Sequence, residues 1–423
     1  MSETPEKSEQ KEYPKKPKLT KAERRAKQES ERAAKAEKKT SSTTTAAPTS
    51  APRMQFDDPK KVAKYDKKKQ VSRAKVQKII PLFSHLPQFE RETSLSLQVG
   101  FLSQEIHPAV LRVGFKMAEG VFRGSNARCL AMLEALSKFI EDYEPPKDQA
   151  FSRDLPKKLS PQIRFLIDCR PQSMSMGNAI SSLKLFISKL SPELSNEAAK
   201  AAVLAEIQRF TQVRIEFACK IIRDAGASRI DDDDVIAVYG HSKLVETVLL
   251  QALRIRKKFR VVVIDSRPRF EGKNLAKKLA EAGILCTYAL VTSVSYVISE
   301  ITKVFLGCFG MVSNGNCIAS IGAALVAMHA NRLSVPVIVL SETYKFHRGA
   351  QIDAISFNEL ADPDELILSG SKNGLSDWRD ISALKLLNLT YDAIPMEFIS
   401  CLITEIGEIP PTAVPAVFRE YMK

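Results

Sequence analysis

The residues best placed to do chemistry follow short apolar runs that read as strands. They are Tyr239-Gly240-His241-Ser242, Asp265-Ser266-Arg267-Pro268, Gly307 to Gly310, Asn314-Gly315-Asn316 and Ser341-Glu342. Gly and Asn in such turns leave backbone N–H groups able to cradle an anion. Arg267 either offers a two-pronged phosphate contact or pairs with Glu271 or Asp265. The turns match neither G-x-G-x-x-G nor a phosphate-binding P-loop, so neither a nicotinamide nor a nucleoside triphosphate is indicated, and no cofactor is expected. Nucleophilic catalysis needs a Ser or Cys beside a base. Ser242 follows His241, but adjacency in sequence does not make a dyad, and His241 equally suits a strand-end cap. Cys308, between Gly307 and Phe309, has no charged sequence neighbour to lower its pKa. Asp231 to Asp234 precede a strand, the wrong end for a site, and read as a solvated turn. The five histidines lack metal-ligand spacing, so no metal is expected.

What must position these residues is an α/β unit. VIAVYG (235–240), RVVVIDS (260–266), ILCTYALV (284–291), KVFLGCFGMV (303–312) and VPVIVLSE (335–342) read as strands. Between them, 242–258, 272–283, 293–301 and 319–333 read as helices. That alternation implies βαβ units on a parallel sheet, and continuous apolar strands imply helices on both faces. Ligands of such sheets bind at the carboxyl ends of the strands. Residues 346–423 read as a lid of short helices and Pro-rich turns.

Residues 76–228 read as all-helical, punctuated at Pro81, Pro87, Pro108, EPPKD (144–148), LSPQ (159–162) and LSPEL (190–194). Ser125 or Asn126 suits the N-cap of the helix over 125–143. A long helix over about 196–225 carries Val203, Ile207, Phe210, Phe217 and Ile221 in one stripe, with Gly226 suited to a left-handed C-cap. Arg214 falls inside the stripe, where a charge either pairs with an acid or faces a partner.

The net charge of +14 is uneven. Residues 1–78 hold 23 Lys+Arg and 11 Asp+Glu, leaving the remainder near neutral, with no field to steer it to a phosphate backbone. Residues 1–75 are too poor in apolar side chains to order and read as a basic tail, either an RNA-touching arm or a solubilising segment. The seven cysteines are scattered without a CxxC pair, the usage of a reduced compartment. No apolar leader and no run of about 18 apolar residues is visible, so a cytosolic protein is expected. The expected organisation is therefore a tail (1–75), a helical domain (76–228) and a Rossmann-like α/β domain (229–423).

The run from Val261 to Phe346, NLTYDAIPMEFISCLITEIGEIPP (388–411), SNARCLAMLEAL (125–136), SRDL (152–155) and CRPQSMSMGNAI (169–180) resemble the alpha/beta/delta regulatory-subunit family of eukaryotic translation initiation factor 2B, nearest its delta branch. The resemblance covers about 80–423. It implies a helical domain followed by a Rossmann-like one, in a two-fold decamer with alpha, beta, gamma and epsilon subunits. Gamma and epsilon carry nucleotide exchange on initiation factor 2, and the core senses that factor's phosphorylated alpha chain. Delta chains are implied to meet it through their helical domain, which assigns Arg153 of SRDL, and Val213 and Phe217 of the long helix, to that contact. Arg214 and Arg153 suit an acidic or phosphorylated partner because guanidinium binds both. The α/β domain also resembles sugar-phosphate isomerases such as methylthioribose-1-phosphate isomerase, the rival reading. Where their motifs carry Cys, Asp and Asn-Lys, this chain has Gly240, Phe309 and Ala319-Ser320, so proton transfer lacks its groups. Arg267 survives, with Asn314 and Gly315, as the residue of a phosphate pocket.

Overall fold

The computed structural model describes residues 79–87, 106–146, 150–191, 194–367, 375 and 377–421. The basic tail (1–75) lies outside them. All described residues fall within one compact unit, Lys69–Lys423.

Helices come first. They are α1 (Pro108–Ala118), α2 (Ser125–Asp142), α3 (Phe151–Cys169), α4 (Met174–Lys189), α5 (Asn196–Arg209) and α6 (Ala218–Ser228), the last two joined by a π-helical segment, Phe210–Phe217. Their apolar faces share one core that includes Met132, Leu136, Leu155, Leu166 and Ile187. The expected break at LSPQ is absent. The helix α3 runs through both Pro156 and Pro161. Each proline removes a backbone donor at a cost of about 3 kcal/mol, and burial of Leu155, Leu159, Ile163 and Leu166 on one face offsets it. Neither Ser125 nor Asn126 caps α2. Gly124 is the N-cap, without a side-chain bond.

The long helix departs most from its expected stripe. Val203 and Ile207 are buried as the 3.6-residue period requires, but the next fully buried position is Ile215, eight residues on, followed by Ala218 and Ile222. The π-helical segment widens the turn by about one residue, which rotates everything after it. Phe217 and Val213 therefore face out, 58% and 50% exposed. Gly226 is no left-handed cap. It lies within α6 because its hydrogen lets the helix approach α7 (Lys243–Arg254), where a Cβ would come 3.0 Å from Val248.

A seven-stranded sheet follows. It consists of β1 (Val235–Tyr239), β2 (Arg260–Asp265), β3 (Leu285–Leu290), β4 (Lys303–Gly307), β7 (Val337–Leu340), β10 (Cys401–Thr404) and β11 (Gly407–Ile409), in the order β11-β10-β7-β4-β1-β2-β3. Only β11 is antiparallel. Successive residues bury into opposite faces, as the strand period of two demands. Ile236, Val238, Val261 and Val263 meet α6, α7 (Lys243–Arg254) and α8 (Gly272–Glu281). Ala237, Val262, Ile264 and Val304 meet the short α9 (Val294–Val297), α10 (Ala323–Arg332) and α11 (Val414–Tyr421).

A second sheet, β8-β5-β6-β9, is built from β5 (Gly310–Val312), β6 (Cys317–Ser320), β8 (Phe346–His347) and β9 (Tyr391–Ile394). It corrects three expectations. The run 303–312 is two strands of different sheets, divided at Cys308-Phe309. The start of the helix over 319–333 is instead strand, and α10 begins after Gly322, whose φ of 96° turns the chain. The segment after 346 is no mere lid, since it supplies β9 to one sheet and β10 and β11 to the other. Asp231 to Asp234 is also more than a solvated turn. Asp234 is buried, accepting from the Thr302 hydroxyl at 2.7 Å and pairing with Lys303 at 2.7 Å. No helix among the described residues is long and apolar enough to cross a membrane.

Candidate functional site

The strand order reverses between β1 and β4, which opens a crevice at their carboxyl ends in doubly wound folds. Around it the protein's own side chains pack on glycines of β4 and β5. Ser242 packs on Gly307, where a Cβ would come 2.5 Å from the Ser242 Cβ. Met174, at the start of α4, packs on Gly310, where a Cβ would come 3.1 Å from its Cγ. The Tyr239 hydroxyl is shared between the Ser266 hydroxyl, at 2.8 Å, and the Ile321 carbonyl. Phe309 stacks on Tyr391 with centroids 4.0 Å apart.

His241 is not a bare strand-end cap. Its Nε2 lies 2.8 Å from Glu246, which also binds Lys243 at 2.6 Å and Lys278 at 3.3 Å. Burial pushes the Glu246 carboxyl up, but Lys243, His241 and Lys278 together pull it down to about 2. With the folded value below the unfolded one of about 4.3, Glu246 contributes stability that is full above that pH and lost as pH falls through about 2. Glu246→Gln should therefore lower the urea midpoint at pH 7, and the gap to the parent should shrink as pH falls below about 4. A gap independent of pH would show that the ionised carboxylate is not what matters.

Sequence reasoning placed Ser341-Glu342 at a strand end but missed the partners that the turn Ser341–Phe346 gathers. Glu342 is fully buried and binds Lys345 at 2.6 Å and the Asn126 amide at 2.6 Å, with the Cys219 thiol donating at 3.2 Å. Burial alone would push the Glu342 carboxyl up, but Lys345 and Asn126 hold it below its ordinary value. Burial likewise works against the Lys345 charge, and Glu342 more than restores it. The Tyr344 hydroxyl donates to Asn126 Oδ1 at 2.6 Å, and the Asn178 amide donates to the Tyr344 and Phe346 carbonyls at 2.8 and 2.7 Å. Helices α2, α4 and α6 thus converge on one turn after β7. The same fold gives Cys308 the charged neighbour its sequence lacks, since Lys345 Nζ reaches its carbonyl at 3.3 Å. Burial raises that thiol, while Cys317 and Lys345 bring it below its ordinary value, yet it stays enclosed. The signal in the sequence was polar side chains inside apolar helices: Asn126 and Arg128 in SNAR, Asn178 in MGNA.

The expected contact residues fall on two separate surfaces. Arg153 is exposed on the first turn of α3, close to the start of α5, where the Phe151 N–H donates to Asn196 Oδ1 at 3.3 Å. Val213, the half-buried Arg214 and Phe217 lie in the π-helical segment. At 1.5 Å per residue that is about 25 Å further along the helix. Arg267 is exposed after β2, preceding a cis proline. Asn314 and Gly315 lie elsewhere. Asn314 donates to the Gln351 carbonyl at 2.9 Å, and Gly315 packs on Met396 and on Pro411, which follows the antiparallel β11 at the amino ends of the parallel strands. These contacts hold Asn314 and Gly315 away from the strand end that carries Arg267. Among the described residues no group of His, Cys, Asp and Glu suits a metal ion.

A family model described as "Initiation factor 2 subunit family" matches residues 121–411. The chain belongs to the initiation factor 2 subunit family. Its relatives include the "Translation initiation factor eIF2B subunit delta" of Dictyostelium discoideum, 42% identical over 378 residues, 87% of this chain and 61% of that one. The chain thus spans under two thirds of that relative. Among solved structures it is similar to a chain of the tetrameric eIF2B-beta2-delta2 complex from C. thermophilum, with TM-score 0.68 and 35% identity over 78% of this chain and 98% of that one. A more distant relative in the family's wider circle is the "Ribose 1,5-bisphosphate isomerase" of Pyrococcus furiosus, 31% identical over 74% of this chain and 94% of the enzyme.

Proposed function

We propose that the chain is a non-catalytic regulatory subunit of the guanine-nucleotide exchange factor for initiation factor 2, working in the cytosol with alpha, beta, gamma and epsilon partners. Its helical domain (76–228) reads the phosphorylated alpha chain of initiation factor 2, and its α/β domain (229–423) packs the assembly core. The observation that carries this reading is the set of side chains at the strand ends. An isomerase must move a proton, but Gly240, Phe309 and Ala319-Ser320 stand where the enzymes' motifs carry Cys, Asp and Asn-Lys, and Phe309 presents a hydrocarbon ring stacked on Tyr391. The named beta2-delta2 assembly of the C. thermophilum relative supports the partner class. Arg153, together with the exposed Val213 and Phe217 and the adjacent Arg214, supplies cationic and apolar contacts on the helical surface.

Reconstitution tests the proposal. The chain alone should release no nucleotide from initiation factor 2 and turn over no ribose phosphate. Added to the exchange-bearing subunits, it should make release sensitive to phosphorylation. Sugar-phosphate turnover by the chain alone would overturn the proposal.

A further inference from the structure

A second buried charge cluster joins the helices to the sheets. Arg128 of α2 is fully buried, and the side chains of Arg170, just after α3, and of Glu359 are 9% and 12% exposed. Arg170 Nε donates to Glu359 Oε1 at 2.5 Å, and its Nη1 donates to the Phe122 carbonyl at 2.9 Å. Arg128 Nη1 stands 3.6 Å from Glu359 Oε2, while its Nη2 donates to the Pro171 carbonyl. The acid is mounted on the other half. The Thr390 N–H donates to the Glu359 carbonyl at 3.0 Å, and Asn358 clamps the Tyr391 backbone, its amide donating to the carbonyl at 2.9 Å and its Oδ1 accepting from the N–H at 3.1 Å.

Two guanidinium groups thus face one carboxylate, leaving a buried surplus of positive charge. Arg128 Nε and Nη1 form no well-aligned hydrogen bond among the described residues, and the buried Tyr391 hydroxyl interacts with both guanidinium groups without supplying a charge. Burial and the like charge of Arg170 both work against a charged Arg128. Guanidinium forks are shaped for two-pronged binding of an oxyanion, and a buried cation stripped of its counter-ion is strongly destabilising. Glu359 is the only acid among the described residues that pairs with either arginine.

We propose that Glu359 is an internal counter-ion filling an oxyanion site made by Arg128 and Arg170, and that it latches the helical half onto the sheet half. This inference does not depend on the regulatory reading. It ties the angle at which α3 and the π-helical segment are presented to one carboxylate on the segment before β9.

The test is chemical rescue in the full 423-residue chain. Glu359→Ala removes the carboxylate and leaves room for a small oxyanion between the arginines. Its melting temperature should fall, and the amides of α2 and α3 should exchange faster. Inorganic phosphate at millimolar concentration should restore at least half of both losses, and the restoration should saturate. The control is Asp234→Ala, which removes a carboxylate at the amino end of the sheet beside the partly exposed Lys303. It should respond to phosphate no more than the parent does. A phosphate response equal in the two variants, or Glu359→Ala as stable as the parent, would overturn the proposal. Should Glu359→Ala fail to fold, Glu359→Gln is compared with Glu359→Gln/Arg170→Met. A double variant more stable than the single supports the latch, and one equal or less stable contradicts it.

Discussion

Lys345→Met should cost about 3–5 kcal/mol of unfolding free energy, because it strands the buried carboxylate of Glu342. The packing changes little, since methionine nearly matches the lysine stem in volume. What changes is that Glu342, enclosed by the Ser341–Phe346 turn and by α2 and α6, keeps only Asn126 and Cys219 as partners. Urea unfolding at pH 7 measures the loss. The paired change Glu342→Gln/Lys345→Met should recover most of it, because a neutral amide retains the bond to Asn126 without a buried charge. A double variant as unstable as the single would place the cost in packing rather than in electrostatics.

The largest functional effects should come from the helical surface. Arg153→Glu, and separately Phe217→Ala, should each raise the concentration of phosphorylated alpha chain needed for half-maximal inhibition by about tenfold, the size expected when one central contact is lost. Arg153 supplies charge, and Phe217 supplies exposed apolar area that the π-helical segment turns outward. Because Phe217 lies about 30 Å along the helix from its start beside Arg153, their effects should multiply to about hundredfold in the double variant. Nucleotide exchange titrated with the phosphorylated protein measures this. Unchanged inhibition in both single variants would remove the helical surface from the account, and a double variant no worse than one single would mean that the partner touches only one footprint.

The parallel strands were legible because the apolar runs VIAVY and VVVI are buried on both faces and leave no polar position to confuse the period. The parts that escaped share a physical cause. CIAS is short and made of small residues, so its alternation cannot be told from the start of α10, and only the backbone turn at Gly322 separates them. CLIT has the same ambiguity, and its place beside β7 is a long-range contact. The π-helical segment breaks the 3.6-residue count on which any stripe depends, so Phe217 read as core and Ile215 did not. The buried Glu342 centre escaped because its members are spread from Asn126 to Lys345, and a polar residue in an apolar helix says that it has a partner without saying which.

The central claim is that the chain works as a non-catalytic subunit within a larger assembly. The most direct measurement is the native mass of the tagged protein isolated from its own cell extract, with the co-purifying chains identified. The expected result is a stable particle many times heavier than the 47.0 kDa chain, containing beta-type and exchange-bearing subunits in fixed ratio. A lone monomer or homodimer would contradict the account and return attention to the isomerase relatives, despite Phe309.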